Sequence, residues 1–495
     1  MEYRLSLSAD IATKSASVRR HMGRCLATNL RNALRRQEPK TKVVAQWDHL
    51  VVRLPRDLPG KDRQALEASM TRIPGVQRVA RTRNRPLGDW RSSIEQLARE
   101  RAVELEGKRF KVKVKRKGQH DFGSVEVERA LGAALLAHAA DARVDLSTPE
   151  VVVPLRIDGD TLIEEVDLGP GLGGFPLGTQ GEALVLMSGG YDSPVAAYRM
   201  LRRGIKCQFV LFRLGGQEQE SAVKALTRDL WQRYSASHKA NFIIVPFEEV
   251  VETLRREVPD GLVSLVLKRL MIEAAARVAQ RARIPALVTG EAIAQVSSQT
   301  LTNLGLIDRA SHLPVLRPLL TDDKQTIIDE AHRIATAEAS SRMPEYCGGM
   351  SSRPRVKASL KELQVAEARL PADLLDRALA SATRQPVDAP VSKGVSAPSE
   401  EPLAEVSFGG LHEFARTAPR VIDVRPPDDV ERRPLGPLAC PVDHIPFYEL
   451  ATRSDALDPD TRYLLYCDQG VMSRLQALHL KDRGLEHVGL LVASS

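Results

Sequence analysis

Ser188-Gly189-Gly190-Tyr191-Asp192-Ser193 is the stretch that decides the fold. The apolar run 183–187 (Ala-Leu-Val-Leu-Met) precedes it as a short strand, and Pro194 follows it. Proline is favoured at the first helical position, so the residues predict a strand, a tight loop and a helix over 194–203. The two glycines are expected to take positive φ and to let an anion approach the backbone. Successive N–H groups and a helix N-terminus form an anion nest, which makes Ser188, Gly189, Gly190 and Ser193 candidate phosphate contacts. No Gly-Lys-Ser/Thr follows, so this is not a Walker A loop. Five fixed residue types at average frequencies arise by chance in about one chain of this size per thousand, which favours a nucleotide site over a bare turn.

Downstream, apolar runs at 206–212, 242–247 and 286–289 alternate with helical patterns at 218–238 and 262–283. Strands alternating with helices predict βαβ units and a parallel sheet. Upstream, the Gly/Pro-rich stretch 169–181 predicts a domain junction. Before it, a strand with Leu5 and Leu7, a helix over 15–36 capped by Ser15 or Ser17, and a strand within 42–54 form a small α/β unit. A helix through Leu66 and Met70 and a strand over 76–80 repeat the pattern. A second unit follows: a helix over 94–106, a strand over 110–117, a helix over 123–140, and a hairpin turning at Asp158-Gly159-Asp160. In the 110–117 strand, Phe110, Val112 and Val114 face a core while Lys111, Lys113 and Lys115 line the other face. Residues 383–404 read as a linker by composition, and strands at 421–424 and 463–466 open a last α/β domain. The expected domains are therefore 1–85, 86–170, 171–382 and 405–495, with 383–404 between the last two. The fold class is multidomain α/β.

The 495 residues carry a net charge of +8, but residues 1–130 hold 30 Lys and Arg against 15 Asp and Glu, so the other 365 sum to −7. A basic surplus confined to the N-terminal quarter points to a polyanion, nucleic acid before membrane. With aromatics at 4%, recognition by shape and backbone is expected rather than base stacking. An apolar share of 43% excludes a wholly disordered chain. No run of about 18 apolar residues suggests a membrane span, and the N-terminus lacks the order of a signal peptide. Five scattered Cys make no disulfide framework, so a cytoplasmic, reducing setting is expected, with any disulfide transient.

Cys467 follows the 463–466 strand directly, in Cys467-Asp468-Gln469-Gly470-Val471-Met472-Ser473, before a helix. Loop N–H groups and a helix N-terminus there favour a thiolate or persulfide anion. Cys347, in Pro344-Glu345-Tyr346-Cys347-Gly348-Gly349, has an adaptable backbone, and its residues alone leave a reactive and an inert thiol both open. Cys25, Cys207 and Cys440 read as small buried hydrophobes.

The Ser-Gly-Gly-x-Asp-Ser motif resembles that of the PP-loop ATP pyrophosphatases, which cleave ATP between the α- and β-phosphates and activate an oxygen as its adenylate. The Cys467 loop and Ile422-Asp423-Val424-Arg425 resemble rhodanese, although the expected Gly-His-Ile element is degraded to Asp443-His444-Ile445-Pro446. Over nearly its whole length the chain resembles the 4-thiouridine synthetase family. The order matches a ferredoxin-like N-terminal unit, a THUMP RNA-binding domain, a PP-loop domain and a rhodanese-like C-terminal domain. Tyr191 stands where Phe is commoner.

This resemblance implies that ATP adenylates the C4 oxygen of a tRNA uridine. A Cys467 persulfide, loaded by a cysteine desulfurase, then replaces that oxygen, and a Cys347–Cys467 disulfide forms in turnover. It implies Asp192 as the residue that organises Mg2+ or the leaving pyrophosphate, Leu186 and Met187 as adenosine contacts, and Lys268, Gly290 and Gln299 as further ATP contacts. Without the family, Lys268 reads as a solvated helix face and Gly290 and Gln299 as turn chemistry. Because Cys467 must reach Cys347, the 383–404 linker is expected to be mobile. Two rival readings stand beside this one: sulfur transfer to a small carrier protein for thiamine thiazole synthesis, and an RNA-binding module with a vestigial active site. No metal ligand set is legible.

Overall fold

The computed structural model describes residues 1–214, 216–343, 351, 354–389, 403–411, 419–425, 427–468 and 471–492; Cys347 and residues 390–402 lie outside them. The chain forms two compact units, residues 1–179 with 202–204, and residues 180–201 with 205–495.

In the first unit, β1 (Glu2–Leu7), β2 (Lys42–Ala45), β3 (His49–Arg53), β4 (Val76–Pro86), β5 (Arg109–Lys117), β6 (Arg143–Val144), β7 (Val151–Asp158) and β8 (Thr161–Pro170) share one sheet. Its order is β2-β3-β1-β4-β8-β7-β5-β6. Strands β1 to β4, with the helices Ala16–Leu34 and Gly60–Thr71, make the βαββαβ pattern of a ferredoxin-like unit. Alternation along β1 buries Tyr3, Leu5 and Leu7, and they meet Leu26, Leu30 and Leu34 of the Ala16–Leu34 helix in one core. Ser15 occupies that helix's N-cap, but its side chain makes no capping bond. The eleven-residue β4 pairs antiparallel with both β1 and β8. The sheet is therefore continuous through the expected boundary at residue 85. On β5, Phe110 and Val114 are buried while Lys113, Lys115 and Lys117 are exposed. Gly159 turns the β7–β8 hairpin at φ 54°.

The second unit holds two sheets. The first runs β13-β12-β9-β10-β11-β14, from β9 (Glu182–Met187), β10 (Lys206–Arg213), β11 (Asn241–Pro246), β12 (Leu287–Val288), β13 (Val315–Leu316) and β14 (Thr383–Pro386). Strands β9 to β13 are parallel, whereas β14 pairs antiparallel with β11. Residues 383–386 are thus an edge strand of this sheet and not linker. Their composition hid this because a sheet edge tolerates proline, and Lys224 Nζ anchors Gln385 Oε1 at 2.7 Å. The second sheet, β15-β19-β18-β16-β17, is parallel throughout: β15 (Glu405–Ser407), β16 (Arg420–Asp423), β17 (Val442–His444), β18 (Tyr463–Tyr466) and β19 (Val488–Val492).

In both sheets of this unit the order of the parallel strands reverses. From β9 the chain moves outward to β10 and β11, then crosses back through the helices Glu248–Glu257 and Asp260–Ala282 to β12 on the other flank of β9. From β16 it moves to β17, then back to β18 on the other flank. Open α/β sheets bind ligands in the crevice beyond the carboxyl ends of strands at such a reversal. Among the described residues, no helix is long and apolar enough to cross a membrane.

Candidate nucleotide cleft and thiol loop

The first reversal opens into a cleft of about 410 Å³, within the range usual for small-molecule sites. Its wall includes Leu186 and Ser188 from the end of β9, and Asp192 and Ser193 from the loop and helix start. It also includes Lys268 from the Asp260–Ala282 helix, Gly290 and Glu291 after β12, and Gln299. Six expected site residues, Leu186, Ser188, Asp192, Ser193, Lys268 and Gly290, therefore meet there, with Gln299 as a seventh. Met187 does not line the cleft and is only 4% exposed, because neighbouring strand residues face opposite sides.

The loop is closed by its serines. The Ser188 amide donates to Ser193 Oγ at 2.9 Å, and the Ser193 hydroxyl donates to the Ser188 carbonyl at 3.1 Å. The helix begins at Asp192, so Pro194 is its third residue and not its first. That position also lacks an intrahelical N–H partner, and proline fits for the same reason. Neither loop glycine takes positive φ. Gly189 is needed for close approach instead: a Cβ there would lie 2.6 Å from Met343 Sδ. At Gly290 the neighbour is unyielding backbone, with a Cβ 2.8 Å from the Asp192 carbonyl carbon and the Ser193 nitrogen. The end of β12 thus lies directly on the start of the loop helix.

Sequence reasoning missed the partners of these residues. Asp192 Oδ1 receives Lys324 Nζ at 2.9 Å and Oδ2 receives Gln295 Nε2 at 3.0 Å. Asp323 caps the Lys324–Arg333 helix through the Thr326 amide, which fixes Lys324 as its first residue. A cation there opposes the helix dipole, and Asp192 offsets it. Lys268 Nζ lies 3.0 Å from Glu291 Oε1, and Arg317 Nε lies 2.9 Å from Glu291 Oε2. Burial works against the Glu291 charge, yet Lys268 and Arg317 prevail and hold its carboxyl below the usual value. Gln299 is 7% exposed and its Oε1 has no hydrogen-bond partner among the described residues, leaving an acceptor at the cleft wall. Asn303, fully buried, holds the neighbouring segment through Ser297 O at 2.9 Å and Arg355 O at 3.0 Å.

At the second reversal Cys467 follows β18 and is 8% exposed. The Ser473 amide donates to its sulfur at 3.3 Å, and the Ser473 hydroxyl lies 3.4 Å away. A cluster of charge lies at the ends of β16 and β18. Arg425, 3% exposed, pairs with Asp423 at 2.7 Å and Asp468 at 3.0 Å and stacks over Tyr466 at 4.9 Å. Burial lowers the Arg425 guanidinium, but Asp423 more than offsets this, so it stays charged. His444, in the degraded element, meets the Arg425 carbonyl at 2.9 Å. Cys207, on β10, is 2% exposed and burial pushes its thiol well up, as an inert core residue requires. Cys25 and Cys440 are only partly buried, against expectation. Cys347 lies outside the described residues.

A family model described as thiamine biosynthesis protein (ThiI) matches residues 178–371, and one described as THUMP domain matches 92–163. Over 489 residues, 99% of each chain, the sequence is 41% identical to the tRNA sulfurtransferase of Yersinia pestis (strain Pestoides F). The chain belongs to the tRNA sulfurtransferase family. A second tRNA sulfurtransferase, from Yersinia pseudotuberculosis serotype IB (strain PB1/+), matches at the same 41% identity and 99% coverage. The crystal structure of a 4-thiouridine synthetase–RNA complex with bound ATP superposes with a TM-score of 0.68 at 25% identity, covering 78% of this chain and 100% of that one. In this tRNA sulfurtransferase family member the cleft lies within the 178–371 match, whereas Cys467 lies beyond both family models.

Proposed function

We propose that the protein uses ATP to replace the C4 oxygen of a uridine in tRNA with sulfur, giving 4-thiouridine. The observation that carries this reading is the cleft at the first strand reversal, where a closed Ser188–Ser193 loop, Lys268 and a Gln299 acceptor without a partner among the described residues converge. ATP enters with its phosphates toward the loop N–H groups and Lys268, and its base toward Leu186 and Gln299; Met187 contributes through its backbone. Asp192 and Lys324 lie where the α- and β-phosphates part. The uridine oxygen takes the adenylyl group and pyrophosphate leaves. Magnesium accompanies the triphosphate. Among the described residues no group of three His, Cys, Asp or Glu side chains suits a metal; Asp192 would be the carboxylate toward a magnesium ion brought by the triphosphate, which would supply charge neutralisation as pyrophosphate leaves.

The sulfur half of the reading rests on Cys467, with Ser473 donating to its sulfur. A cysteine desulfurase loads a persulfide there. Its terminal sulfur attacks C4 as AMP leaves, and Cys347 then attacks the Cys467 sulfur, releasing thiolated tRNA and forming a Cys347–Cys467 disulfide. A dithiol reductant returns two electrons. Transfer to a small sulfur-carrier protein for thiazole synthesis uses the same persulfide. The tRNA lies on the basic N-terminal unit, for which exposed Lys113, Lys115 and Lys117 are candidate phosphate contacts. The setting is cytoplasmic.

The test is AMP release from ATP with unmodified tRNA. Release that depends on tRNA and falls to background in Asp192→Ala supports the reading. A protein that binds tRNA and releases neither AMP nor pyrophosphate is a binding module.

A further inference from the structure

Glu291 is a buried carboxylate that the reaction above does not use. It is 8% exposed and follows β12 immediately beyond Gly290. Its two oxygens have different tasks. Oε2 is fixed from one side by Arg317 Nε at 2.9 Å and by the Thr289 hydroxyl, which donates at 3.2 Å. Oε1 faces Lys268 Nζ at 3.0 Å. Lys268 and Glu291 both line the cleft, whereas Arg317 does not. Arg317 is itself held by Asp308 at 2.7 Å and has a side-chain exposure of 7%. Asp308, Arg317, Glu291 and Lys268 therefore form a chain of alternating charge that starts outside the cleft and ends in a cation at its wall.

This order has a physical consequence. Lys268 has a side-chain exposure of 16%, and an enclosed ammonium on a flexible stem needs both a counter-charge and a fixed direction. A lone Lys268–Glu291 pair would satisfy each group with the other. With Arg317 behind it, the carboxylate is shared between two cations; the four groups sum to zero, but Asp308, at the far end, is 48% exposed, so the group presented to the cleft is the Lys268 cation.

We propose that Glu291 is a positioning residue of the nucleotide cleft, clamped by Arg317 and Thr289 so that it holds the Lys268 ammonium toward the incoming phosphates. It acts through Lys268 and does not itself touch the nucleotide. This rests on reading the cleft as the ATP site and Lys268 as a phosphate contact.

The experiment is a double-mutant cycle on the full chain, reading the ATP dissociation constant by equilibrium titration, with KM and kcat for AMP release alongside. The proteins are wild type, Lys268→Met, Glu291→Gln and the double variant. Removing one charge-assisted hydrogen bond from a buried site weakens binding about tenfold, so each single variant is expected to bind ATP more weakly by about that factor. The double variant is then no weaker than Lys268→Met alone, because removing Glu291 costs nothing once its client is gone. KM for ATP rises in Glu291→Gln, while Glu291→Asp, which keeps the charge, recovers part of the loss. Should Glu291→Gln fail to fold by thermal denaturation, Glu291→Asp runs the same cycle. Losses that multiply in the double variant overturn the proposal, because Glu291 then acts independently of Lys268. Unchanged ATP binding in the Glu291 variant overturns it too. Unchanged binding in Lys268→Met strikes the reading of Lys268 itself, and with it the proposal.

Discussion

The two strand reversals of the second unit share a backbone plan and differ in what fills them. At the first, the ends of β9 and β12 part around an open cleft of about 410 Å³. At the second, Arg425 pairs with Asp423 and Asp468 beyond the ends of β16 and β18, and Cys467 Sγ accepts from the Ser473 amide. In both places a helix N-terminus follows the end of a central parallel strand. The side chains placed at each reversal are what distinguish the two. On the proposed reading, a substrate as large as ATP needs space and directed cations, whereas a carried sulfur needs a fixed loop.

The largest effect expected from separating the two is structural. Arg425→Met leaves the buried Asp423 without its cation, and losing one partner of a buried pair costs about 3–5 kcal/mol. Denaturation followed by a probe in the last domain should show that loss, while ATP binding at the cleft stays near wild type. Equal loss at both reversals would show that they are not independent. Asp192→Asn breaks the ion pair with Lys324 at 2.9 Å and is expected to slow AMP formation about 10²–10³-fold, as removal of one preorganised electrostatic group does. Persulfide loading of Cys467 from a desulfurase should persist in that variant, measured by mass spectrometry of the protein.

Much of the first reversal is legible in the sequence because it is local. Six consecutive residues, a strand before and a helix after define the loop. The partners that tune it are not local. Lys324 is 132 positions from Asp192, and Glu291 lies 23 from Lys268 and 26 from Arg317. No spacing rule reaches such pairs. Short strands also escape periodicity: β13 has two residues, and β14 is disguised by a proline-rich composition, whereas β12, equally short, lies within the apolar run 286–289. At the second reversal the cysteine loop is legible, but the Arg425 ion pairs are visible only as a resemblance in Ile422-Asp423-Val424-Arg425.

Two smaller effects sharpen the contrast. Gly290→Ala sets a Cβ 2.8 Å from backbone at Asp192 and Ser193. Overpacking of this kind costs about 1–3 kcal/mol, so the melting temperature should fall and ATP affinity with it. A variant as stable as wild type would mean that the strand end can move away from the loop. The smallest effect is on pH. Because the folded Glu291 carboxyl titrates below its ordinary value, its stabilisation is fully present above the ordinary carboxylate range and is lost as pH falls through the folded value. The stability difference between wild type and Glu291→Gln should therefore hold steady from about pH 8 to the top of that range and shrink only in stronger acid. A difference that grows toward acid would contradict this assignment.

The most direct measurement of the whole account is nucleoside mass spectrometry of unmodified tRNA incubated with ATP, cysteine, a cysteine desulfurase and either wild type or Cys467→Ala. The account predicts AMP from both proteins and 4-thiouridine from wild type only. 4-Thiouridine from Cys467→Ala at the wild-type rate, or no AMP from wild type, would contradict it.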